Sequence, residues 1–266
     1  MRRAGDVLRV LRYAVLSGYY DYQTIYTWRT WMVGWYVRVL SQVAFFALIG
    51  KLLHSPERTH YLLVGNAMLL AASGSLVAVA STQWERWAGT LPLLVAAPSS
   101  HVVVFAGRSL AFVADAVLTS LGAFFAAAAI FGLPLPWPRV LLLPGLVVSI
   151  AVATYALAIF LGGCALRAPG SRNVVSNLAT TTMMAVAGVN VPVSFYPAPV
   201  HALSYALPLT FGLRGVRGLL GGASGGTVVA DVAAQLAIAL GWLALALLTF
   251  DRFGERGRRT GAIDFS

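Results

Sequence analysis

Charged residues are scarce in this sequence of 266 residues. Asp, Glu, Lys and Arg together make up 11% of it, and the acidic residues number nine, whereas soluble domains carry roughly 25% charged residues. Apolar residues reach 59%, and the mean hydropathy is +0.78. This composition excludes an ordinary soluble domain. It predicts an all-α polytopic membrane protein, because a helix satisfies its own backbone hydrogen bonds in lipid.

Cysteine and lysine are each present once. Cys164 alone cannot form an intrachain disulfide or a cysteine cluster for a metal, and we expect it to be a small packing residue. Lys51 is followed by Leu52, whereas a phosphate-binding P-loop needs Ser or Thr after its lysine. The sequence therefore excludes a P-loop in this chain.

Histidine is also infrequent and is not arranged for catalysis. The four histidines lie apart, and no H-E-x-x-H pair or His/Cys cluster is present. Ser73-Gly74-Ser75 is better explained by close helix packing than by an intramembrane serine protease. We expect no catalytic residue and no metal site.

Long apolar segments account for most of the chain. A span needs about 20 mostly apolar residues, and six segments predict spans at about 30–53, 61–81, 103–131, 139–165, 174–193 and 228–250. Residues 1–29 mix arginine with apolar residues and predict an amphipathic helix in the interface on the cytoplasmic side. The chain is thus expected to be one transmembrane domain, 1–266, with a six-span core at 30–250 and a basic tail at 251–266.

The basic residues predict how the chain is oriented. With the N-terminus inside, thirteen Lys and Arg residues fall in inner segments and five in outer ones, which places both termini in the cytoplasm. The bias toward Ala, Val, Leu, Gly and Arg indicates a bacterial inner membrane. Because the basic residues lie between apolar runs and form no patch, we expect them to contact membrane lipids and not nucleic acid.

Residues 194–227 are apolar but interrupted. Pro197, Pro199 and Pro208 divide the segment, and glycines follow. It predicts a pair of short re-entrant helices in the outer leaflet, since irregular backbone at membrane depth survives where protein or a water-filled cavity covers it.

Two ionisable residues lie inside predicted spans, where they are costly and are functional candidates by default. Arg38 is about 12 Å into the first span, and Asp115 is about 10 Å deep in the third, at 1.5 Å per residue. The similar depth predicts an intramembrane ion pair between them.

A polar run in the fifth span has two interpretations. Thr181 and Thr182, with Asn190 beyond them, could line a path for an amphiphilic substrate. Alternatively, the hydroxyl groups bond back to the helix backbone.

The segment 82–100 carries a recognisable motif. Glu85-Arg86, Gly89-Thr90-Leu91 and Ala97-Pro98 resemble the E-x-x-x-G-T-L-x-x-L-x-x-x-P signature of ABC type-2 exporter permeases. In that family the segment is the helix that couples the permease to its ATPase. The resemblance implies coupling roles for Glu85, Arg86, Gly89, Thr90, Leu91 and Pro98. Pro92 departs from the pattern, since many members have Glu there.

The outer segment carries a second part of the resemblance. Its motif is an aromatic residue followed by proline, then Pro-Leu-Thr, and then an arginine, which is either Arg214 or Arg217. This order of residues is similar to the second motif of the family. The resemblance implies an outer re-entrant gate that contains Phe195, Tyr196, Pro197, Pro208, Leu209 and Thr210.

The resemblance implies a permease subunit of an ATP-driven exporter for a hydrophobic or amphiphilic substrate. It also implies two partners, an ABC ATPase subunit that holds the ATP and Mg²⁺ and a second permease, identical or related. The chain itself would then hold no cofactor and would not be an enzyme. Two alternatives are an integral membrane enzyme acting on lipids, which would need a convergent catalytic cluster, and an ion-coupled secondary transporter, for which Asp115 is the candidate residue.

Overall fold

A computed structural model describes residues 4–25, 27–79, 101–165 and 171–260, and all regular elements in these residues are helices. In chain order they are α1 (Ala4–Ile25), α2 (Trp28–Leu52), α3 (Pro56–Ser75), α4 (His101–Phe131), α5 (Leu143–Ala165), α6 (Arg172–Val186), α7 (Ala198–Ala206), α8 (Pro208–Leu220) and α9 (Gly225–Thr260). The prediction of an all-α protein is confirmed.

Four helices are long and apolar enough to cross a membrane within the described ranges. They cover Trp28–Leu52, Val103–Phe131, Arg139–Ala165 and Gly225–Phe250. These correspond to the predicted first, third, fourth and sixth spans. The predicted second and fifth spans overlap α3 and α6, but these helices begin or end at other residues than predicted.

Helix α3 begins before the predicted start of the second span at residue 61. The Ser55 hydroxyl accepts a hydrogen bond from the Arg58 backbone N–H at 3.3 Å, and Pro56 takes the first helical position. His54, with φ of 51°, closes the turn from α2. The predicted start at residue 61 is therefore wrong, because the capped helix begins at Pro56. The helix also ends at Ser75, six residues early.

Helix α6 ends at Val186 and not at residue 193 as predicted for the fifth span. Its C-cap is Ala187, and Gly188 then adopts a φ of 84°, which glycine tolerates without strain. The chain turns here, so the polar end of the predicted span is a bend.

The core is built around α3 and α5. Every residue from Leu62 to Ala72 in α3 is buried, and this helix contacts α2, α4, α5, α6 and α8. By contrast, 17% of the residues in the most apolar stretch of α2 are buried, and the value for α9 is also 17%. These two helices therefore present most of their apolar surface to the surroundings.

Helix α1 packs closely along the first half of α4. A Cβ on Gly18 would lie 1.9 Å from the Arg108 carbonyl oxygen, and one on Gly107 would lie 2.5 Å from the Ala14 Cβ. Arg108 also forms an ion pair with Asp21 at 2.5 Å. The backbones of α1 and α4 therefore touch, and small residues are required at both glycine positions.

The outward side of α1 combines apolar and aromatic residues with Arg9 and Arg12, which are also exposed. Leu8, Tyr13 and Tyr20 expose 70%, 67% and 64% of their surface. This side suits the predicted placement of α1 in the membrane interface, where an amphipathic helix buries its apolar face among lipids.

Candidate functional site

A cavity of about 260 Å³ lies between α2, α3, α4 and α6. Its wall is mixed: apolar residues of α3 alternate with charged, aromatic and amide side chains from the other helices. The lining includes Trp35, Arg38, Gln42, Ser73, Gly74, Asp115, Thr119, Asn177, Thr180 and Met184. Arg38 and Asp115, the two ionisable residues predicted to lie inside spans, are both in this wall.

Arg38 is positioned by an aromatic neighbour on its own helix. Its guanidinium carbon lies 4.4 Å from the centre of the Trp35 ring, within the range of a cation–π interaction. The two residues are three apart, so they share one face of α2. The preceding turn, Trp31–Tyr36, is π-helical, and such turns are frequent at functional sites.

Asp115 is held from the same helix by a different residue. The Trp31 indole N–H donates to the Asp115 Oδ1 at 2.5 Å. An indole N–H is a donor without acceptor capacity, so this bond is suited to an ionised carboxylate and orients one of its oxygens.

The predicted ion pair between Arg38 and Asp115 is not formed in the structure. Among the described residues the ion pairs are those of Arg108 with Asp21 and Arg214 with Asp231. Arg38 lies over an indole ring and Asp115 accepts from an indole N–H. The two charges therefore line one cavity without meeting in a salt bridge.

The predicted path-lining residues do not form one surface. The cavity wall includes Thr180, the neighbour of Thr181 and Thr182, whereas those two are absent from the lining. The Thr180 hydroxyl also donates to the Ser176 carbonyl at 3.0 Å. The side chain of this residue therefore lines the cavity and also bonds back to the helix, and the path for an amphiphilic substrate stays a prediction.

Asn190 lies in the bend after α6 and pairs with another amide. Its Oδ1 accepts a hydrogen bond of 2.9 Å from the Nδ2 of Asn66, a fully buried residue of α3. The Asn66 amide also donates to the Leu62 carbonyl at 3.0 Å. Asn190 thus ties the bend to α3, and it is not in the cavity lining.

The segment 194–227 contains two short helices, α7 and α8, and their re-entrant placement in the membrane stays a prediction. Pro197 is the N-cap of α7 and Pro208 is the first residue of α8, and Leu207 between the helices is extended, with φ of −89° and ψ of 126°. An extended residue before proline is expected sterically. The sequence motif therefore marks the helix starts.

The six predicted gate residues differ in burial. Phe195 is 79% exposed, whereas Leu209 is fully buried and Thr210 is 1% exposed. The Tyr196 hydroxyl donates to the Ala185 carbonyl, which ties the turn to α6, and the Thr210 hydroxyl donates to the Ser204 carbonyl. Phe195 and Pro197 are the exposed members of this group.

Arg217 and Arg214, which the sequence left as alternatives, have different surroundings. Arg217 donates from Nη1 to the Gly188 carbonyl at 2.7 Å, and from Nη2 to the carbonyls of Tyr61 and Val189 at 3.1 and 3.2 Å. Its guanidinium carbon lies 3.4 Å from the centre of the Tyr61 ring. Arg214 is half exposed and pairs with Asp231 at 3.2 Å. Arg217 therefore joins α8, α3 and the bend after α6.

The predicted coupling residues Glu85, Arg86, Gly89, Thr90, Leu91 and Pro98 lie outside the described residues. The next described helix, α4, begins at His101 and is the one that α1 packs against.

Two residues important for the site were missed in the sequence. Trp31, which holds Asp115, lies at the start of the predicted first span, and Asn66 lies inside the predicted second span; neither residue stood out in the hydropathy pattern. An amide in the middle of a span is a signal for an interhelical hydrogen bond, so Asn66 could have been singled out. No local signal links Trp31 to a residue 84 positions away.

The family model described as ABC-2 type transporter matches residues 19–220. The match covers most of the chain and includes the cavity, the outer segment and the segment 82–100. A search of curated proteins finds no match.

Proposed function

Because this chain belongs to the ABC-2 type transporter family, whose members are transporter permeases and not enzymes, we propose that it is the membrane subunit of an ATP-driven exporter. Its cargo is a hydrophobic or amphiphilic molecule. The observation that carries this proposal is the family match from residue 19 to residue 220, which runs from α1 to the end of α8.

The proposed topology has six spans with both termini in the cytoplasm of a bacterium. Helix α3 has 20 residues and is about 30 Å long at 1.5 Å per residue, enough to cross the hydrocarbon core. Helices α7 and α8, with 9 and 13 residues, are too short to cross, since a span needs about 20 residues. Re-entry from the outer side accommodates them.

The proposed energy source is a separate ABC ATPase subunit that binds ATP and Mg²⁺. The segment 82–100 is proposed to dock on it, with Glu85 and Arg86 at the contact. A second permease, identical or related, completes the translocation path. The outer sides of α2 and α9, which are little buried within one chain, leave surface for this partner and for lipid.

Reversal of one charge tests the proposal. Glu85→Arg should abolish co-purification of the ATPase subunit or uncouple ATP hydrolysis from export, because a desolvated interface charge left without its counterpart can cost a few kcal/mol, and each 1.4 kcal/mol is about tenfold in affinity. The measurements are ATPase retained per permease and cargo moved per ATP in reconstituted membranes.

Arg139→Glu is the matched control. Arg139 is exposed and is assigned to the opposite side of the membrane, so its reversal should leave assembly and transport unchanged. If Glu85→Arg assembles and transports like the parent, both the coupling assignment and the exporter proposal must be abandoned.

A further inference from the structure

We infer that the cavity between α2, α3, α4 and α6 binds the headgroup of a zwitterionic amphiphile, with its cationic group at Asp115 and its anionic group at Arg38. This inference rests on the proposed function, since it names the class of molecule that the permease accepts. It is carried by the placement of the two charges in one cavity wall without a salt bridge between them.

The energetic cost of these charges favours a ligand of both signs. An ionised side chain within a span is expensive unless an opposite charge, water or a polar group satisfies it. Arg38 lies over the Trp35 ring, and Asp115 meets the hydrogen-bonding groups of Trp31, Tyr22 and Thr119. These groups are neutral, so none of them supplies a counter-charge. A zwitterion that enters the cavity supplies a counter-charge to each residue at once.

The contacts of Asp115 leave room for a cation. The Trp31 N–H donates to Oδ1, and the hydroxyl groups of Tyr22 and Thr119 also reach the carboxylate. An ionised carboxylate has about four acceptor positions, so one remains for a ligand ammonium group, which a charge-assisted hydrogen bond would hold in place.

The contacts of Arg38 leave its donors available to an anion. The Trp35 ring covers one face of the guanidinium group, whereas the N–H donors point outward in the plane of that group. Planar donors of this kind match phosphate or carboxylate oxygens. The residue is exposed, so an anion can reach it from outside the wall.

The size and lining of the cavity indicate a headgroup and not a whole lipid. A volume of about 260 Å³ lies below the range of about 300–1,000 Å³ that holds drug-sized ligands. Gln42, Asn177 and Thr180 offer neutral hydrogen-bonding groups around the two charges. The apolar tail of the ligand would remain outside, along the helix surfaces.

Binding of charge-matched probes to the full-length permease tests the inference. The protein is placed in phosphatidylglycerol nanodiscs and titrated with tritiated lauroyl lysophosphatidylethanolamine, with dodecylamine and dodecyl phosphate as single-charge probes. The zwitterion should bind at least about tenfold tighter than either single-charge probe, because it makes both ionic contacts.

Two variants should separate the charges. Asp115→Asn should weaken binding of the zwitterion and of dodecylamine by about tenfold and change the affinity for dodecyl phosphate by less than about twofold. Arg38→Gln should weaken binding of the zwitterion and of dodecyl phosphate by about tenfold and change the affinity for dodecylamine by less than about twofold. Glu57→Gln and Arg139→Gln remove exposed charges outside the cavity lining and should leave all three affinities unchanged.

Several outcomes would overturn the inference. These are equal affinity for all three probes, variants that bind like the parent, and loss of every probe in both variants, which would show that the charges serve the fold alone. Displacement by water-soluble phosphoethanolamine at the same concentration would contradict the need for an apolar tail. Because this assay contains no ATPase, a failure here with normal Glu85-dependent assembly refutes the ligand and leaves the exporter proposal intact.

Discussion

Arg217→Met should destabilise the permease more than any other single arginine replacement on α8. The variant keeps the apolar stem of the side chain but removes three hydrogen bonds, to the carbonyls of Gly188, Tyr61 and Val189. It also removes the guanidinium group from the face of the Tyr61 ring. The bend after α6 would lose its attachment to α8.

The magnitude follows from these contacts. A hydrogen bond from a charged donor contributes about 1.5–3 kcal/mol, and a cation over an aromatic ring contributes about 0.5–2 kcal/mol. The sum overestimates the effect, because the variant no longer has to desolvate a guanidinium group and the contacts are not additive. We expect a loss of about 3–5 kcal/mol, the range measured when one partner of a buried charged contact is removed.

Two companion variants make the test specific. Arg217→Lys keeps the charge but loses the planar set of donors, so we expect about 1–3 kcal/mol of destabilisation. Arg58→Met removes an exposed arginine on α3 and should change the stability by less than about 0.5 kcal/mol.

The assay is equilibrium unfolding in mixed micelles, combined with hydrogen exchange. The amides of the bend at Gly188 and Val189 should exchange faster in Arg217→Met, whereas those in the buried middle of α5 should not change. If Arg217→Met unfolds like Arg58→Met, the three-carbonyl contact does not hold the bend and the reasoning fails.

Two further predictions concern α1 and the topology. Gly18→Ala should destabilise the protein by about 1–3 kcal/mol through overpacking, since its Cβ would lie 1.9 Å from the Arg108 carbonyl oxygen. Gly34→Ala is the control and should be neutral or stabilising, because its Cβ would have no neighbour within 4 Å. Equal melting temperatures for the two variants would contradict the close packing of α1 on α4. A cysteine introduced at Ser266 or Ser99, in a background where the exposed Cys164 is alanine, should resist an impermeant thiol reagent in intact cells, and ready labelling at either position would overturn the orientation.

Long apolar helices could be predicted from the sequence, whereas helix ends set by other parts of the chain could not. The Ser55-Pro56 start of α3 was visible as a capping signal, but hydropathy outweighed it and moved the start to residue 61. The end of α6 also carries a local signal, since Gly188 follows the C-cap and Pro192 lies beyond it, but hydropathy outweighed this signal as well. The bend that follows α6 is held by Arg217, which lies 29 residues after Gly188 in the chain. No local pattern reveals a contact between residues so far apart.

The candidate site shows the same division between local and tertiary information. Depth along a helix can be counted from the sequence, and Arg38 and Asp115, for which similar depths are predicted, line one cavity. Rotation about the helix axis cannot be counted in this way, because packing sets it and the π-helical turn Trp31–Tyr36 shifts it. The pairing therefore failed, although the depths were compatible.

The enclosed position of α3 has a consequence for how the protein is made. This helix begins with Glu57 and Arg58 and carries Asn66 in its middle, so it partitions into lipid poorly by itself. In the folded chain Asn66 meets protein instead, through the Leu62 carbonyl and the side chain of Asn190. Under the proposed topology, α3 would enter the membrane together with α2, to which the short turn at His54 joins it. Truncation after α3 should then leave it poorly inserted until α4 and α5 have been synthesised.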